Sequence, residues 1–227
     1  MAELKIIAHI ETDFPEKFGL PRQNGLVPSL TGTVVFEPEY RNPDAVRGLE
    51  EFSHLWLLWQ FEGTERAHWS ATVKPPRLGG NTHRGVFATR SPYRPNPIGL
   101  SCVKLAALTF GDRGPLLQVS GIDLRDGTPI YDIKPYLPYA DSRPDAVGGF
   151  ADRALNYRLT VDCPETLLSG FPAEKRAALR ELLSLDPRPA YHDDPTRRYG
   201  VTFAGYDIHF TVAGRVLTVT DIIEKKS

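Results

Sequence analysis

Over its first 140 or so residues the chain is written mostly in short β-type runs. Residues 4–10, 33–37, 54–61, 85–88 and 100–110 carry that patterning, and Gly and Pro separate them. Such spacing predicts a predominantly β domain closed as a barrel. Residues 121–133 read as a hairpin, because Asp126-Gly127 supplies turn chemistry between apolar flanks and Pro129 is tolerated best on an edge strand.

The pattern changes after Pro138. Residues 138–154 are dense in Pro, Gly, Asp and Ser, as expected for a connector. The expected organisation is therefore a β-barrel over residues 1–140, a connector over 141–154 and a small α+β domain over 155–227. Within the last, residues 155–161 alternate like a strand. Residues 172–185 predict a helix, with Pro172 at its first position and Ala177, Leu179, Leu182 and Leu183 as the apolar stripe. Residues 199–223 return to β alternation around a turn at Ala213-Gly214.

At 227 residues and 41% hydrophobic content, the chain suffices for one large core, or for a main domain carrying a smaller one. The formal net charge of -1 excludes a uniformly basic nucleic-acid coat. Local distribution matters more. From Arg66 to Gly111 the chain carries Arg66, Lys74, Arg77, Arg84, Arg90, Arg94 and Lys104 without one Asp or Glu. That field suits an anionic partner such as RNA; the competing role is pairing with acids elsewhere, such as Glu50 and Glu51.

Two loops in this stretch, residues 74–81 and 90–99, are stiffened by Pro75, Pro76, Pro92, Pro95 and Pro97. Proline limits conformational freedom before a ligand arrives, so Arg90, Arg94 and Asn96 are presented at low ordering cost. Rigid barrel-end turns are the plainer reading.

Cys102 and Cys163 stand far apart and form no CxxC pair, which argues against a zinc knuckle or a disulfide framework and fits a reducing cytosol. The first residues read as neither signal peptide nor anchor, and no segment approaches the roughly 18 apolar residues of a membrane span. A cytoplasmic protein is expected. The six histidines lack ligand-type spacing, so no metal is expected. HExxH, GxSxG, Walker and GxGxxG signatures are missing, which weakens hydrolase and Rossmann readings.

The strings Pro21-Arg22-Gln23, Ala45-Val-Arg-Gly-Leu-Glu50, Phe52-Ser-His-Leu-Trp56, Pro75-Pro-Arg-Leu-Gly-Gly-Asn81 and Gly85-Val-Phe-Ala-Thr-Arg-Ser91 occur in order. Arg94-Pro-Asn-Pro-Ile-Gly99, Asp126-Gly-Thr-Pro129, Asp132-Ile-Lys-Pro-Tyr-Leu-Pro138 and Asp186-Pro-Arg-Pro-Ala-Tyr191 come after them. Together they resemble the TrmO/TsaA-like family over nearly the whole chain.

The resemblance implies a non-Rossmann β-barrel methyltransferase domain with an appended C-terminal domain. It also implies a homodimer that uses S-adenosyl-L-methionine to methylate N6-threonylcarbamoyladenosine in threonine tRNA. The implied cofactor pocket is Pro21, Arg22, Gln23, Glu62, Gly63, Arg90, Leu100, Ser120, Gly121, Ile122 and Asp123, with a departure from the family's His-Gln pair at Glu62-Gly63.

For the tRNA, the candidate contacts are Arg94, Asn96, Asp126, Lys134, Tyr136 and Arg188, the last expected to meet phosphate. Tyr93, Tyr136 and Tyr139 are candidates for stacking a splayed base. Methyl transfer from a sulfonium is an in-line displacement in which orientation supplies roughly 7–11 kcal/mol and a general base roughly 3–5. No firm base is therefore named, although Asp126 and Asp132 are carboxylates available for the role; turn formation or ion pairing competes at each. A non-catalytic RNA- or nucleotide-binding barrel, or a methyltransferase with another substrate, are the rival functions.

Overall fold

The computed structural model describes residues 3–64, 68–75, 82–154, 157–188 and 194–225. Its main body is a closed barrel of six strands: β1 (Ala8–Thr12), β2 (Thr31–Phe36), β3 (His54–Gln60), β6 (Ile98–Gly111), β7 (Gly114–Ser120) and β8 (Thr128–Pro135). Around the barrel the order is β1-β2-β7-β6-β3-β8, every pair is antiparallel, and β8 returns to β1 to close it. Closure rests on alternation that is cleanest in β2, β3 and β7, where every second residue is buried, such as Leu55, Leu57 and Trp59 of β3, and the inner faces of the six strands enclose one interior.

Two two-residue strands, β4 (Thr72–Val73) and β5 (Arg84–Gly85), form a separate ribbon between β3 and β6. After the barrel come a helical turn, α1 (Pro138–Asp141), and a 3-10 turn over Gly149–Ala154. Among the described residues the C-terminal unit has one α-helix, α2 (Arg176–Ser184), and four strands: β9 (Thr160–Asp162), β10 (Tyr199–Phe203), β11 (Tyr206–Ala213) and β12 (Val216–Glu224). They form a sheet of order β10-β11-β12-β9. This is the mainly β fold with an α+β appendage that the sequence predicts.

Several local expectations change. The first strand runs over 8–12 rather than 4–10: its ladder begins at Ala8 opposite Phe36, and before it Ile7 bonds on both sides, its N–H donating to the Ile130 carbonyl at 2.8 Å and its carbonyl accepting from the Glu37 N–H at 2.9 Å. At 85–88 the strand stops at Gly85. Val86–Ala88 is a 3-10 turn in which the Val86 carbonyl accepts from both the N–H and the hydroxyl of Thr89.

The hairpin over 121–133 does not form. Residues 121–127 are a loop, and β8 pairs with β1 and β3 rather than with β7, because the barrel places β7 between β2 and β6. Pro129 consequently sits inside a closed ladder, opposite His9, near the start of its strand. The helix begins at Arg176 after a 3-10 turn, and its buried stripe is Ala178, Leu179, Leu182 and Leu183; Ala177 faces solvent. The strand expected at 155–161 is β9, at 160–162; residues 155–156 lie outside the described residues. The Ala213-Gly214 turn joins β11 to β12 as expected.

The two units share a core. Phe14, from the loop after β1, packs its ring 5.0 Å from that of Phe203 on β10, and both are fully buried. The Ala204 N–H donates to the Asp13 carbonyl at 3.0 Å, Lys175 pairs with the Asp13 carboxylate, and the Ser29 hydroxyl donates to Glu181 at 2.8 Å. Residues 12–30 are thereby clamped between barrel and appendage, and Pro21, Arg22 and Gln23 are held with them.

Candidate active site

The loop after β1 carries Pro21, Arg22 and Gln23. Pro21 is buried, while Arg22 reaches out to donate through Nη2 to the Arg188 carbonyl at 3.3 Å. The Gln23 side-chain carbonyl accepts from Arg90 Nη1 at 2.5 Å, so the arginine that opens the proline loop is held against the 21–25 segment. Asn24 Nδ2 donates to the Cys102 carbonyl on β6 at 2.8 Å.

The other wall is the loop after β7. The Gly25 N–H donates to the Gly121 carbonyl, and the Gly121 N–H to the Leu30 carbonyl, each at 2.8 Å. Gly121 does this at φ 74°, a left-handed conformation that costs a side-chain-bearing residue strain. Ile122 points into the core, leaving Asp123 beside Arg90, Asn24 and β6.

Asp123 is the most perturbed acid of the cluster. Burial pushes its carboxyl up to about 6, against the opposing pull of hydrogen bonds from Ser101, its own backbone and the Asn24 backbone, and of the Arg90 charge. The Ser101 hydroxyl donates to Asp123 Oδ1 at 2.6 Å, and the Trp59 indole N–H donates to that hydroxyl at 3.0 Å. Neither Ser101 nor Trp59 stands out in the sequence, because only the pairing of β3 with β6 brings them together.

Leu100 is half exposed on the outer face of β6. It shares a ladder row with Leu58 and Asp132, and the next row holds Cys102, Trp56 and Lys134. Tyr136 packs its ring 5.8 Å from Trp56 and 6.2 Å from His54 at the end of this surface. Leu100, Lys134 and Tyr136 thus occupy one continuous outer face.

Other candidates are committed elsewhere. The Glu62 carboxylate pairs with Arg125, and the Glu62 carbonyl accepts from the Lys17 ammonium near exposed Gly63. Asp126 caps the backbone, accepting from the Thr12 N–H at 2.9 Å. Asp132 accepts from Lys134 at 2.7 Å. Turn formation and ion pairing, the competing roles, are what the structure shows for these two carboxylates. Arg94 donates to the Thr89 carbonyl at 3.3 Å and so braces the proline loop, whereas Asn96 contributes its backbone carbonyl to the Ile98 N–H at 2.8 Å and is exposed.

Arg188 corrects an expectation. The residue is 8% exposed and its guanidinium forks onto Asp186 through Nε at 2.8 Å and Nη2 at 2.9 Å, so it braces a turn instead of reaching for phosphate. The rest of that motif, residues 189–191, lies outside the described residues, as do Arg66, Pro76, Arg77 and the remainder of the 74–81 loop.

Among the described residues, Lys74, Arg84, Arg94 and Lys104 form no ion pair with a carboxylate, and Glu50 and Glu51 pair with none of them. Flanking the ribbon of β4 and β5 are two exposed rings, Trp69 before it and Phe87 in the turn after it, 6.0 Å apart, and Arg84 lies over the Phe150 ring. Two open clefts lie elsewhere: one is predominantly acidic, lined by Glu3, Glu37 and Glu39 with Lys5, and the other is lined by Phe171, Tyr206 and Glu224. No helix among the described residues is long and apolar enough to cross a membrane.

A closed antiparallel barrel with an opposed Arg–Asp pair on its wall, and an α+β unit locked beside it, defines a β-barrel class distinct from the Rossmann nucleotide binders. The chain belongs to the tRNA-methyltransferase O family: the N-terminal domain of that family matches residues 9–142 and its C-terminal domain residues 162–225. It is 45% identical over 219 residues to the tRNA (adenine(37)-N6)-methyltransferase of Escherichia coli K12, covering 92% of this chain and 91% of the relative. It is 43% identical over 212 residues, 90% of each chain, to a Pseudomonas aeruginosa protein whose name proposes an S-adenosylmethionine-dependent methyltransferase. A crystal structure of TrmO from P. aeruginosa superposes with a TM-score of 0.78 at 35% identity, covering 99% of this chain and 97% of the other.

Proposed function

We propose that this protein is a tRNA methyltransferase that transfers the methyl group of S-adenosylmethionine to N6 of the adenosine at position 37, the activity named for its E. coli relative. The finer reading is that the acceptor is N6-threonylcarbamoyladenosine of threonine tRNA and that the enzyme works as a cytoplasmic homodimer. The observation that carries the cofactor half is the meeting of Gln23, Arg90 and Asp123 on a wall built from the 21–25 and 120–123 segments.

The residues fit the group. The cofactor presents a sulfonium, an ammonium and a carboxylate, and the site offers both signs of charge: Arg90 and Arg22 for the anion, Asp123 for a cation. Bound there, S-adenosylmethionine supplies an electrophilic methyl group. The protein's share is orientation and exclusion of water, and the rigid proline loop and the clamped 12–30 segment hold the walls in place beforehand.

RNA recognition is supported by Lys74, Arg84, Arg94 and Lys104 and by the adjacent rings of Trp69 and Phe87, on which bases can stack. Lys134 and Tyr136, on the same outer face as Leu100, are the further candidate contacts. Domain limits of 1–140, 141–154 and 155–227 belong to the same proposal.

The test is incubation with labelled S-adenosylmethionine and tRNA with or without the threonylcarbamoyl group, then mass spectrometry of nucleosides. Methylation only of the modified tRNA is expected. Equal methylation of both would overturn the finer reading, and no S-adenosylmethionine binding by calorimetry would favour a non-catalytic RNA-binding barrel.

A further inference from the structure

The hydrogen bonds behind Asp123 run in one direction only. An indole N–H is a donor and never an acceptor, so the Ser101 oxygen must accept from Trp59. The single Ser101 proton is then left for Asp123 Oδ1, at 2.6 Å, and that oxygen must be an acceptor. Ser101 is fully buried and Trp59 nearly so, which leaves water little part in the chain.

The fold makes room for it at one residue. A Cβ on Gly99, the ladder partner of Trp59, would sit 2.2 Å from the indole, so only glycine lets the ring lie across β6 toward Ser101, two residues on.

We propose that Trp59 and Ser101 are positioning residues, a one-way hydrogen-bond chain through the barrel interior that holds Asp123 as an oriented anion facing the positive charge of the bound cofactor. The proposal rests on the cofactor reading of this site and goes beyond it, since neither residue need touch a ligand. Arg90, on the proline loop, is the charged side chain acting on Asp123. β3 and β6 contribute neutral donors, and the 21–25 loop contributes the Asn24 backbone N–H. Removing Ser101 leaves the carboxylate without its side-chain donor and raises its proton affinity further above about 6.

The test is calorimetric binding of S-adenosylmethionine to the full chain across about pH 5.5 to 8.5, for wild type, Ser101→Ala, Ser101→Thr and Trp59→Phe. A hydrogen bond to a charged group is worth a factor of about ten or more, so Ser101→Ala should weaken binding about tenfold near pH 8. It should also move the acid-side loss of binding up by roughly one pH unit. Trp59→Phe should shift both in the same direction by less, and Ser101→Thr, which keeps the hydroxyl, should recover the wild-type pH profile. Ser101→Ala binding with unchanged affinity and unchanged pH profile would overturn the proposal.

Should the Ser101 variants fail to fold, a 13C titration of the Asp123 carboxyl in wild type and Trp59→Phe, assigned with Asp123→Asn, decides the matter without ligand. Ionisation that rises in Trp59→Phe supports the chain; ionisation that is the same in wild type and Trp59→Phe refutes it. Wild type that binds no S-adenosylmethionine while Asp123 ionisation still rises in Trp59→Phe would sink the cofactor reading and leave the hydrogen-bond chain standing.

Discussion

Asp123→Asn should stabilise the fold while it removes function. Burial lifts the Asp123 carboxyl from its ordinary 3.8 to about 6, so the folded chain holds this proton more tightly than the unfolded chain does. Its contribution to stability is therefore fully present below about pH 3.8 and is lost as pH rises through about 6. At about 1.36 kcal/mol per pH unit, the ionised side chain costs the fold at most about 3 kcal/mol near pH 8.

An amide of the same shape removes that cost and keeps an oxygen to accept from Ser101. Urea unfolding monitored by tryptophan fluorescence is the assay. Between about pH 5 and pH 8 the variant should gain on wild type by about 1.5 kcal/mol, because wild type alone is then losing the proton. S-adenosylmethionine binding should fall about tenfold or more with the loss of the charge. A stability difference that does not change with pH would refute burial as the cause, and unaltered cofactor binding would remove Asp123 from the site.

Arg90→Ala should weaken S-adenosylmethionine binding by about tenfold or more in calorimetry with an unchanged melting temperature, since Arg90 is exposed and anchored through Gln23 alone among its described hydrogen bonds. Trp69→Ala with Phe87→Ala should raise KM for tRNA several-fold while S-adenosylmethionine affinity stays at wild type, as expected for stacking worth about 1–3 kcal/mol per base; unchanged tRNA kinetics would take the ribbon out of the RNA surface. Phe203→Ala, which empties the joint between barrel and appendage, should cost about 3–5 kcal/mol in denaturant unfolding. Arg188→Ala should lower stability, because it strips the partner from Asp186 at φ 57°, and should leave the salt dependence of tRNA binding as it was.

Local signals were legible where local physics decides them. The alternation at residues 54–61 and 100–110 foretold β3 and β6, and Ala213-Gly214 foretold a turn, whereas the acid-free stretch after Arg66 left open whether its cations pair with acids elsewhere, as Arg90 does with the field of Asp123. The resemblance named the family and most of the segments that converge, Pro21 to Gln23, Arg90 and Ser120 to Asp123. The hairpin at 121–133 failed because turn chemistry at Asp126-Gly127 specifies a reversal of the chain and not the partner of the next strand, which the barrel supplies from β1 and β3.

The sequence alone determined strand-forming segments, the rigid loops, the sign of the local field and the family, because each is written in neighbouring residues or in their order. Tertiary structure alone decided that Arg188 is buried on Asp186, that Glu62 answers Arg125, and that Trp59, Ser101 and Asp123 form one chain. The physical reason is the closure of the barrel. Which side chains meet across β3, β6 and the loop after β7 depends on ladder register and on a closed ring of six strands, and a carboxyl acquires its proton affinity from the burial that only this closure creates.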